Sequence, residues 1–122
     1  MGEILIIEDE PAVRGFFREV LEGAGYGVVE AASAKSGLRL LRERPIDLVV
    51  TDILMPDMDG LEVTRTLHRD FPAVKIIAIS GGQQDIDYCD VARFLGAHET
   101  LMKPVTMSRL LETVARLLGR TQ

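Results

Sequence analysis

The sequence predicts an α/β fold in which a five-stranded parallel sheet is doubly wound, with helices on both faces. Five short apolar runs alternate along the chain with segments of helical periodicity. The runs are continuously apolar rather than alternating, which is typical of parallel strands that are buried on both sides. Right-handed crossovers between successive parallel strands then distribute the helices over both faces of one sheet.

The first strand and the first helix have well-marked ends. Residues 3–7 form an isoleucine-rich block that stops at a run of acids. The following helix begins near Pro11, which suits a first turn, and ends at Gly25, which suits a C-terminal cap. A second strand follows over residues 27–31. The helix positions predicted to face the core repeat with helical spacing: Val13, Phe16, Phe17, Val20, Leu21 and Ala24.

The middle of the chain repeats the order of helix and strand. Ser33 can cap a second helix, and a third strand over residues 46–51 ends at Asp52. Asp59 and Glu62 have the spacing of a capping box and begin a third helix. The positions predicted to face the core in these two helices are Ala34, Leu38, Leu41, Val63, Leu67 and Phe71.

The last two strand–helix units are shorter or less regular. A fourth strand over residues 74–79 ends at Ser80, and a helix from about 85 to 95 has the weakest apolar pattern. A short fifth strand over residues 100–102 precedes Lys103. The last helix has its apolar residues at Met107, Leu110, Leu111, Val114, Leu117 and Leu118.

The chemically distinctive residues lie at the ends of the predicted strands. Glu8 and Asp9 follow the first strand, Asp52 the third, Ser80 the fourth and Lys103 the fifth. In a doubly wound sheet the carboxyl ends of the strands open on one edge, where ligands bind. Two carboxylates about 4 Å apart repel by roughly 4 kcal/mol at an effective dielectric constant near 20. The acids therefore predict a cation site, and ligands that are all oxygen favour Mg²⁺ or Mn²⁺.

Asp52, at the centre of this group, is predicted to be a nucleophile that forms an aspartyl phosphate. A cation, the Lys103 ammonium and the Ser80 hydroxyl would surround a transferring phosphoryl group. In the alternative interpretation the acids only cap the helices that follow them, as Asp9 near Pro11 could. That alternative remains open for any single acid, but it does not account for a set that occupies four strand ends.

These residues carry a resemblance to the receiver domain of two-component response regulators. The matching motifs are Glu8-Asp9-Glu10-Pro11, residues 52–60, Ser80 and Lys103-Pro104, and the likeness covers essentially the whole chain. The resemblance implies a (βα)5 flavodoxin-like fold with strand order 2-1-3-4-5. It also implies a single receiver domain over residues 1–122, with no output domain in this chain.

The resemblance further implies how the site works. Asp52 would accept a phosphoryl group from a histidine kinase or a phosphotransfer protein, and Ser80 and Lys103 would bind the phosphoryl oxygens. The peptide bond between Lys103 and Pro104 would be cis. The chain would catalyse only its own phosphorylation and dephosphorylation, so we do not expect an enzyme that acts on other substrates.

The metal ligands and the partners are also implied by the resemblance. Output would go to an unknown partner protein or to an output domain that was removed, and Thr100 stands where the family usually has Tyr or Phe. A homodimer is expected through the face formed by the fourth helix, the fifth strand and the last helix, with charges at Asp87, Asp90, Arg93, Arg109 and Arg116. The ligands expected for Mg²⁺ are Asp9, Asp52 and the backbone carbonyl of Leu54, with Glu8 acting through water.

Composition narrows the remaining classes of function. The net charge of −5 and the pI near 5.0 argue against direct binding of nucleic acid. No apolar run approaches the ~20 residues of a membrane helix, and the single Cys89 suits a reducing compartment, so we expect a cytoplasmic protein without membrane contact. The competing hypothesis is an interaction module that keeps this fold and signals without phosphate.

Three further site hypotheses are weaker because a required group is missing. A calcium loop over residues 57–60 would need further acids at its first and last positions. An aspartate-nucleophile phosphatase would need Asp where the chain has Leu54. An FMN phosphate would meet the acids that follow the first strand, where a hydroxyl-rich loop is needed.

Overall fold

The computed structural model describes residues 2–53, 60–81, 90, 92–93 and 95–119. Strands and helices alternate along this part of the chain from the first strand to the fourth, as the sequence predicts. In chain order the elements are β1 Glu3–Ile7, α1 Pro11–Gly23, β2 Gly27–Ala31, α2 Ala34–Glu43, β3 Leu48–Asp52, α3 Gly60–Asp70, β4 Lys75–Ser80, β5 Glu99–Met102 and α4 Met107–Leu117.

The five strands form one parallel sheet with the order β2-β1-β3-β4-β5, which confirms the predicted topology. The register places Leu5 of β1 opposite Val29 of β2 and Val49 of β3. Every residue of β3 is buried, as expected for a central strand with helices on both faces. The carboxyl ends of all five strands therefore meet at the same edge of the sheet.

Two apolar layers cover the two faces of the sheet. Along β1, Leu5 belongs to the layer under α2 and α3, while Ile6 belongs to the layer under α1 and α4. Side chains such as Leu67 of α3 and Phe17 of α1 close these layers from outside. Since alternate strand residues point to opposite faces, a continuously apolar strand supplies both layers at once.

The helix ends follow the capping signals in the sequence. Ser33 caps α2, because its side chain accepts a hydrogen bond from the backbone N–H of Ser36. Gly25 has a φ of 95°, the left-handed region in which glycine is favoured after a helix. Thr106 caps α4 in the same way by accepting from Arg109 N, a cap that the sequence analysis did not identify.

Two apolar helix residues are exposed, and one of them, Phe16, is predicted by the sequence to face the core. Phe16 is 44% exposed and Met107 is 57% exposed. Phe16 precedes the buried Phe17, and a rotation of about 100° per residue moves it to the flank of the apolar stripe of α1. Met107 begins α4, one turn before the first buried position, Leu110. The prediction for Phe16 was wrong, because this residue lies at the edge of the apolar stripe of α1 and not at its centre.

Some predicted features lie outside the described residues. The helix expected from about 85 to 95 is described only at residues 90, 92, 93 and 95, all of which are helical. Leu54, Asp59 and Cys89 also lie outside the described part of the chain. No helix in the described part is both long enough and apolar enough to cross a membrane.

Candidate functional site

The strand ends are held in line by hydrogen bonds just beyond the sheet. Glu8 N donates to Ala31 O at 3.1 Å, which continues the pairing of β1 with β2. Lys103 N donates to Ser80 O at 2.8 Å, which joins the ends of β5 and β4. Main-chain hydrogen bonds thus position the predicted site residues independently of the contacts between their side chains.

The structure brings together the three acids that the sequence predicts as a cation site. Glu8, Asp9 and Asp52 each offer one carboxylate oxygen, and these oxygens all lie within 4.8 Å of one another. Glu8 and Asp52 are buried, and Asp9 is half-buried. Such a set of hard oxygen donors without histidine or cysteine fits Mg²⁺ or Mn²⁺.

Lys103 places a positive charge against this acidic cluster. Its Nζ donates a hydrogen bond to Asp52 Oδ2 at 3.0 Å. The same nitrogen lies 3.3 Å from Glu8 Oε1 and 3.7 Å from Glu10 Oε1. Because the ammonium contacts several carboxylates rather than one, it can exchange partners when another anion enters the site.

The environment shifts the pKa values of Glu8 and Lys103. Burial raises the pKa of Glu8 to about 7, and the charge of Asp52 adds to this rise, while the hydrogen bond from Glu10 N and the charge of Lys103 oppose it. Burial alone would lower the pKa of Lys103, but its hydrogen bond to Asp52 and the charges of Asp52 and Glu8 raise it on balance. Lys103 is therefore an ammonium group at neutral pH.

Two oxygens of the site are buried without a hydrogen-bond partner. Within the described residues they are Ser80 Oγ and Glu8 Oε1, and no other buried side-chain nitrogen or oxygen there lacks a hydrogen bond. Glu8 Oε1 still lies in ion-pair range of Lys103 Nζ. The large majority of buried polar groups in proteins are hydrogen-bonded, so two unsatisfied oxygens at one site need an explanation. A ligand that brings its own charge and oxygens to this edge of the sheet would supply one.

The structure also shows a group of charges beside the site that the sequence analysis missed. Arg14 Nε donates to Glu30 Oε1 at 2.9 Å, and Arg18 Nη1 donates to Glu30 Oε2 at 2.6 Å. Arg14 Nη1 also donates to the backbone carbonyl of Glu8 at 2.9 Å. One signal could have revealed this group, since Glu30 interrupts an apolar strand and the two arginines are four residues apart on α1.

Other predicted residues have definite surroundings. The Lys103–Pro104 peptide bond is cis, which confirms that expectation. Thr100 is half-buried, and its hydroxyl accepts a hydrogen bond from Arg93 Nε at 3.3 Å. The backbone carbonyl of Leu54, expected as a metal ligand, lies outside the described residues.

The arginines expected at a dimer interface have partners within the chain. Arg93 and Arg116 both pair with Glu99, at 3.1 and 2.7 Å. Arg109 pairs with Glu112 at 3.3 Å. The dimer therefore stays a prediction.

Comparison with known proteins finds relatives over nearly the whole chain. Residues 4–115 match the family model of the response regulator receiver domain. The chain is 39% identical to the KDP operon transcriptional regulatory protein KdpE of Escherichia coli over 110 residues, which are 90% of this chain and 48% of KdpE. It is 32% identical to the polar-differentiation response regulator DivK of Brucella ovis over an alignment of 123 positions, which covers 95% of each chain.

The lengths of the relatives differ widely. The chain is 38% identical to the sensor kinase CckA of Brucella abortus over an alignment of 122 positions, which covers 96% of this chain but 12% of CckA. It thus spans about half of KdpE and a small part of CckA, but nearly all of DivK.

Solved structures give the same result. A receiver domain protein from Clostridium thermocellum superposes with a TM-score of 0.92 at 32% identity, covering 98% of this chain and 95% of that one. The response regulator TrrA of Thermotoga maritima, solved in complex with Mg²⁺ and BeF, superposes with a TM-score of 0.86 at 30% identity, covering 96% and 99%.

Proposed function

The chain belongs to the response regulator receiver domain family of two-component signal transduction, and from that premise we propose that Asp52 is its phosphoacceptor. Accepting a phosphoryl group is the general function of this family. The observation that supports Asp52 most directly is its position in the site. Its carboxylate is buried among two other acids and hydrogen-bonded to Lys103 Nζ at 3.0 Å.

The proposed reaction is a transfer from phosphohistidine to Asp52. A carboxylate oxygen of Asp52 attacks the phosphorus, and the new O–P bond forms as the N–P bond breaks. The electron pair of the N–P bond returns to the imidazole of the donor, whose other ring nitrogen carries a proton, so the imidazole leaves in its neutral form. The product is an aspartyl phosphate on this chain and a free histidine on the donor.

The chain's own groups respond to the arriving negative charge. Lys103 Nζ passes from Asp52 Oδ2 to a phosphoryl oxygen and remains a charged donor throughout. Ser80 Oγ, which has no hydrogen-bond partner in the unphosphorylated site, donates a hydrogen bond to another phosphoryl oxygen. These two contacts exist only after phosphorylation, so they distinguish the two states of the switch.

We propose that Asp9 and Asp52 bind Mg²⁺ directly, that Glu8 binds it through water and that the backbone carbonyl of Leu54 completes the protein ligands. Glu8 Oε1, which accepts no hydrogen bond, and the close approach of three carboxylates support this set. When bound, Mg²⁺ neutralises negative charge that builds up on the transferring phosphoryl group. The complex of the similar TrrA with Mg²⁺ and BeF supports the same ion here.

The proposal extends to partners. A histidine kinase or a phosphotransfer protein would be the donor, and a separate protein or a further domain would receive the output. We regard residues 1–122 as one receiver domain that acts in the cytoplasm, catalyses no reaction but its own phosphorylation and dephosphorylation, and does not itself bind nucleic acid. A phosphorylation-dependent homodimer would use the face formed by the segment before β5, by β5 and by α4. On this face Arg93 and Arg116 both pair with Glu99 of β5.

One experiment tests the phosphoacceptor. The protein is incubated with Mg²⁺ and a small acyl phosphate, and intact-mass spectrometry should show the addition of one phosphoryl group. Asp52→Asn should abolish the addition, and chelation of Mg²⁺ should prevent it. The control is Asp47→Asn. Asp47 is an exposed acid that immediately precedes the first residue of β3, at the end of the strand away from Asp52, so this variant should leave the adduct unchanged.

Two results would contradict the proposal. The first is the absence of any adduct on the wild-type protein, which would favour a module that signals without phosphate. The second is an adduct that persists in Asp52→Asn, which would place the phosphoryl group on another residue.

A further inference from the structure

Arg14 lies beside the acidic cluster but takes no part in the proposed phosphoryl transfer. It belongs to α1, and its side chain is only 19% exposed. One nitrogen, Nη1, donates to the carbonyl oxygen of Glu8 at 2.9 Å, and another, Nε, donates to Glu30 Oε1 at 2.9 Å. A single guanidinium thus joins the end of β1 to a carboxylate of β2.

The Glu8 carbonyl belongs to the peptide that connects Glu8 with Asp9, two of the three acids of the cluster. The N–H of Glu8 is already held by Ala31 O at 3.1 Å. The carboxylate of Glu8 accepts a hydrogen bond from Glu10 N at 3.1 Å. The bond from Arg14 therefore fixes the remaining polar atom of Glu8's main chain and, with it, the orientation of the peptide that leads to Asp9.

Glu30 holds Arg14 in place. Its second oxygen accepts from Arg18 Nη1 at 2.6 Å, so Glu30 has an arginine on each carboxylate oxygen. The hydrogen bond from Arg18 is the main cause of a pKa of Glu30 below its ordinary value, and Arg14 adds to it, so Glu30 is a carboxylate. Because the guanidinium is planar and rigid, two bonds from one plane restrict the position of Arg14 more than a lysine could be restricted.

The charge of Arg14 and its geometry have opposite effects on a bound cation. Its positive charge near the acids would weaken cation binding by Coulomb repulsion. Its hydrogen bond to the Glu8 carbonyl would strengthen binding, because it prepares the two acids in advance. In the described part of the chain, the ion pair of Arg14 is with Glu30 and not with the acidic cluster, so it leaves the carboxylates of the cluster available.

We propose that Arg14, anchored by Glu30, is a positioning residue for divalent-cation binding, which fixes the Glu8–Asp9 peptide so that both carboxylates lie close to that of Asp52. The proposal rests on the cation site of the proposed function. Arg14 touches neither the cation nor the phosphoryl group, and it acts only through the main chain of Glu8.

The test measures binding of Mn²⁺ to the whole chain, using the electron paramagnetic resonance signal of free Mn²⁺. Arg14→Gln should raise the dissociation constant about tenfold, the lower end of what loss of an outer contact typically costs. Arg14→Lys should also raise the dissociation constant, because lysine keeps the positive charge but lacks the planar guanidinium that makes both hydrogen bonds. Arg18→Gln is the matched control, since Arg18 binds the same Glu30 without reaching Glu8, and its dissociation constant should be unchanged or slightly lower.

A second measurement distinguishes a specific loss of cation affinity from a general disturbance of the structure. At saturating Mg²⁺, Arg14→Gln should take up phosphoryl groups at the wild-type rate, because its defect lies in affinity. Where Arg14→Gln does not fold, Glu30→Gln is used, which keeps an oxygen for one arginine and should raise the dissociation constant by a smaller factor.

The outcomes separate this proposal from the phosphoacceptor proposal. If Arg14→Gln binds Mn²⁺ as tightly as the wild type or more tightly, or if saturating Mg²⁺ does not restore its phosphorylation, Arg14 does not position the site. If either of these results is found while the wild type is phosphorylated at Asp52, only the role of Arg14 is overturned, and Asp52 remains the phosphoacceptor. If the wild type binds no Mn²⁺, both this role and the proposed cation site are wrong.

Discussion

At the scale of single residues, the site is organised by a lysine that shares its charge among acids. Lys103 Nζ contacts Asp52, Glu8 and Glu10 at 3.0 to 3.7 Å, and its side chain is 20% exposed. The ammonium stabilises the buried carboxylates, and it would compete for them with the cation proposed above. Its two roles predict opposite effects on cation binding and on phosphoryl transfer.

Lys103→Met should therefore tighten Mn²⁺ binding and slow phosphorylation. Loss of a positive charge in contact with Asp52 and Glu8 should lower the dissociation constant at least tenfold, since close charges interact by a few kcal/mol and about 1.4 kcal/mol corresponds to a factor of ten. The uptake of phosphoryl groups from an acyl phosphate should fall, because the ammonium no longer stabilises the phosphoryl oxygens. Lys75→Met is the control, because it removes a positive charge at the start of β4, at the other end of the sheet. It should change neither the Mn²⁺ dissociation constant nor the uptake of phosphoryl groups. Weaker Mn²⁺ binding by Lys103→Met would contradict this account.

At the scale of elements, helix caps and strand-end contacts fix where each segment begins and ends. Ser33 and Thr106 satisfy backbone N–H groups at the starts of α2 and α4. His98 has a related role between strands, because its Nδ1 accepts a hydrogen bond from Ile76 N at 3.0 Å while its own N–H donates to Ile76 O at 2.8 Å. These local contacts set the lengths of the elements and the entry of β5 into the sheet.

Ser33→Ala should lower the free energy of unfolding by about 1 kcal/mol, the usual effect of losing an N-cap. Chemical denaturation monitored by circular dichroism measures it. Ser108→Ala serves as the control, because Ser108 is an exposed residue inside α4, where alanine is the better helix former. A loss of stability in Ser108→Ala as large as that in Ser33→Ala would contradict the assignment of the cap.

The contact of His98 makes a pH-dependent contribution to stability. Burial lowers the pKa of His98 below its ordinary 6.5, and the charges of Lys75 and His68 add to this effect. The unfolded chain therefore takes up the proton first as the pH falls, so the contribution of His98 is present above pH 6.5 and is lost at lower pH. Protonation also removes Nδ1 as the acceptor for Ile76 N.

The variant His98→Asn keeps an acceptor and removes this titration. Glu8, with a pKa of about 7, contributes with the opposite sign in the same range, so the informative quantity is the difference between wild type and variant. The free energy of unfolding of the wild type relative to His98→Asn should fall as the pH is lowered from 7.5 to 5, and His68→Asn should retain most of this dependence. A difference that is constant with pH would show that His98 does not titrate in this way.

At the scale of the whole molecule, stability comes from two apolar layers that share one sheet. Phe17 is 2% exposed in the layer under α1 and α4, whereas the neighbouring Phe16 is 44% exposed. Phe16 also lines a cavity of about 530 Å³ next to Lys103, Pro104 and Val105. Two adjacent residues of one type thus belong to different parts of the molecule.

Phe17→Ala should reduce the free energy of unfolding by about 3–5 kcal/mol, because it leaves a cavity in a closed layer. Phe16→Ala should cost less than about 1 kcal/mol, since it removes a side chain that already meets solvent. Thermal and chemical unfolding of the two variants give the comparison directly. Equal losses would mean that Phe16 contributes to the core as the sequence predicted.

The sequence alone determined the order of the elements and the identity of the strand-end acids. Continuous apolar strands, Pro11, Ser33 and Gly25 are local signals, because each depends on residues a few positions away. The carboxyl ends of parallel strands lie at one edge of the sheet, and this rule alone predicts that Asp52 and Lys103 lie close together. The family's motifs added the cis bond before Pro104, which the structure confirms.

The tertiary structure alone decided which side chains act on one another across that edge. That Arg14 reaches the Glu8 carbonyl, that His98 accepts from Ile76 and that Phe16 lies outside the core all depend on the exact rotation of helices over the sheet. A hydrogen bond requires a distance near 3 Å and a favourable angle, whereas a sequence pattern places a residue only on a face. For that reason the sequence predicted the acids of the site but not the arginine beside them.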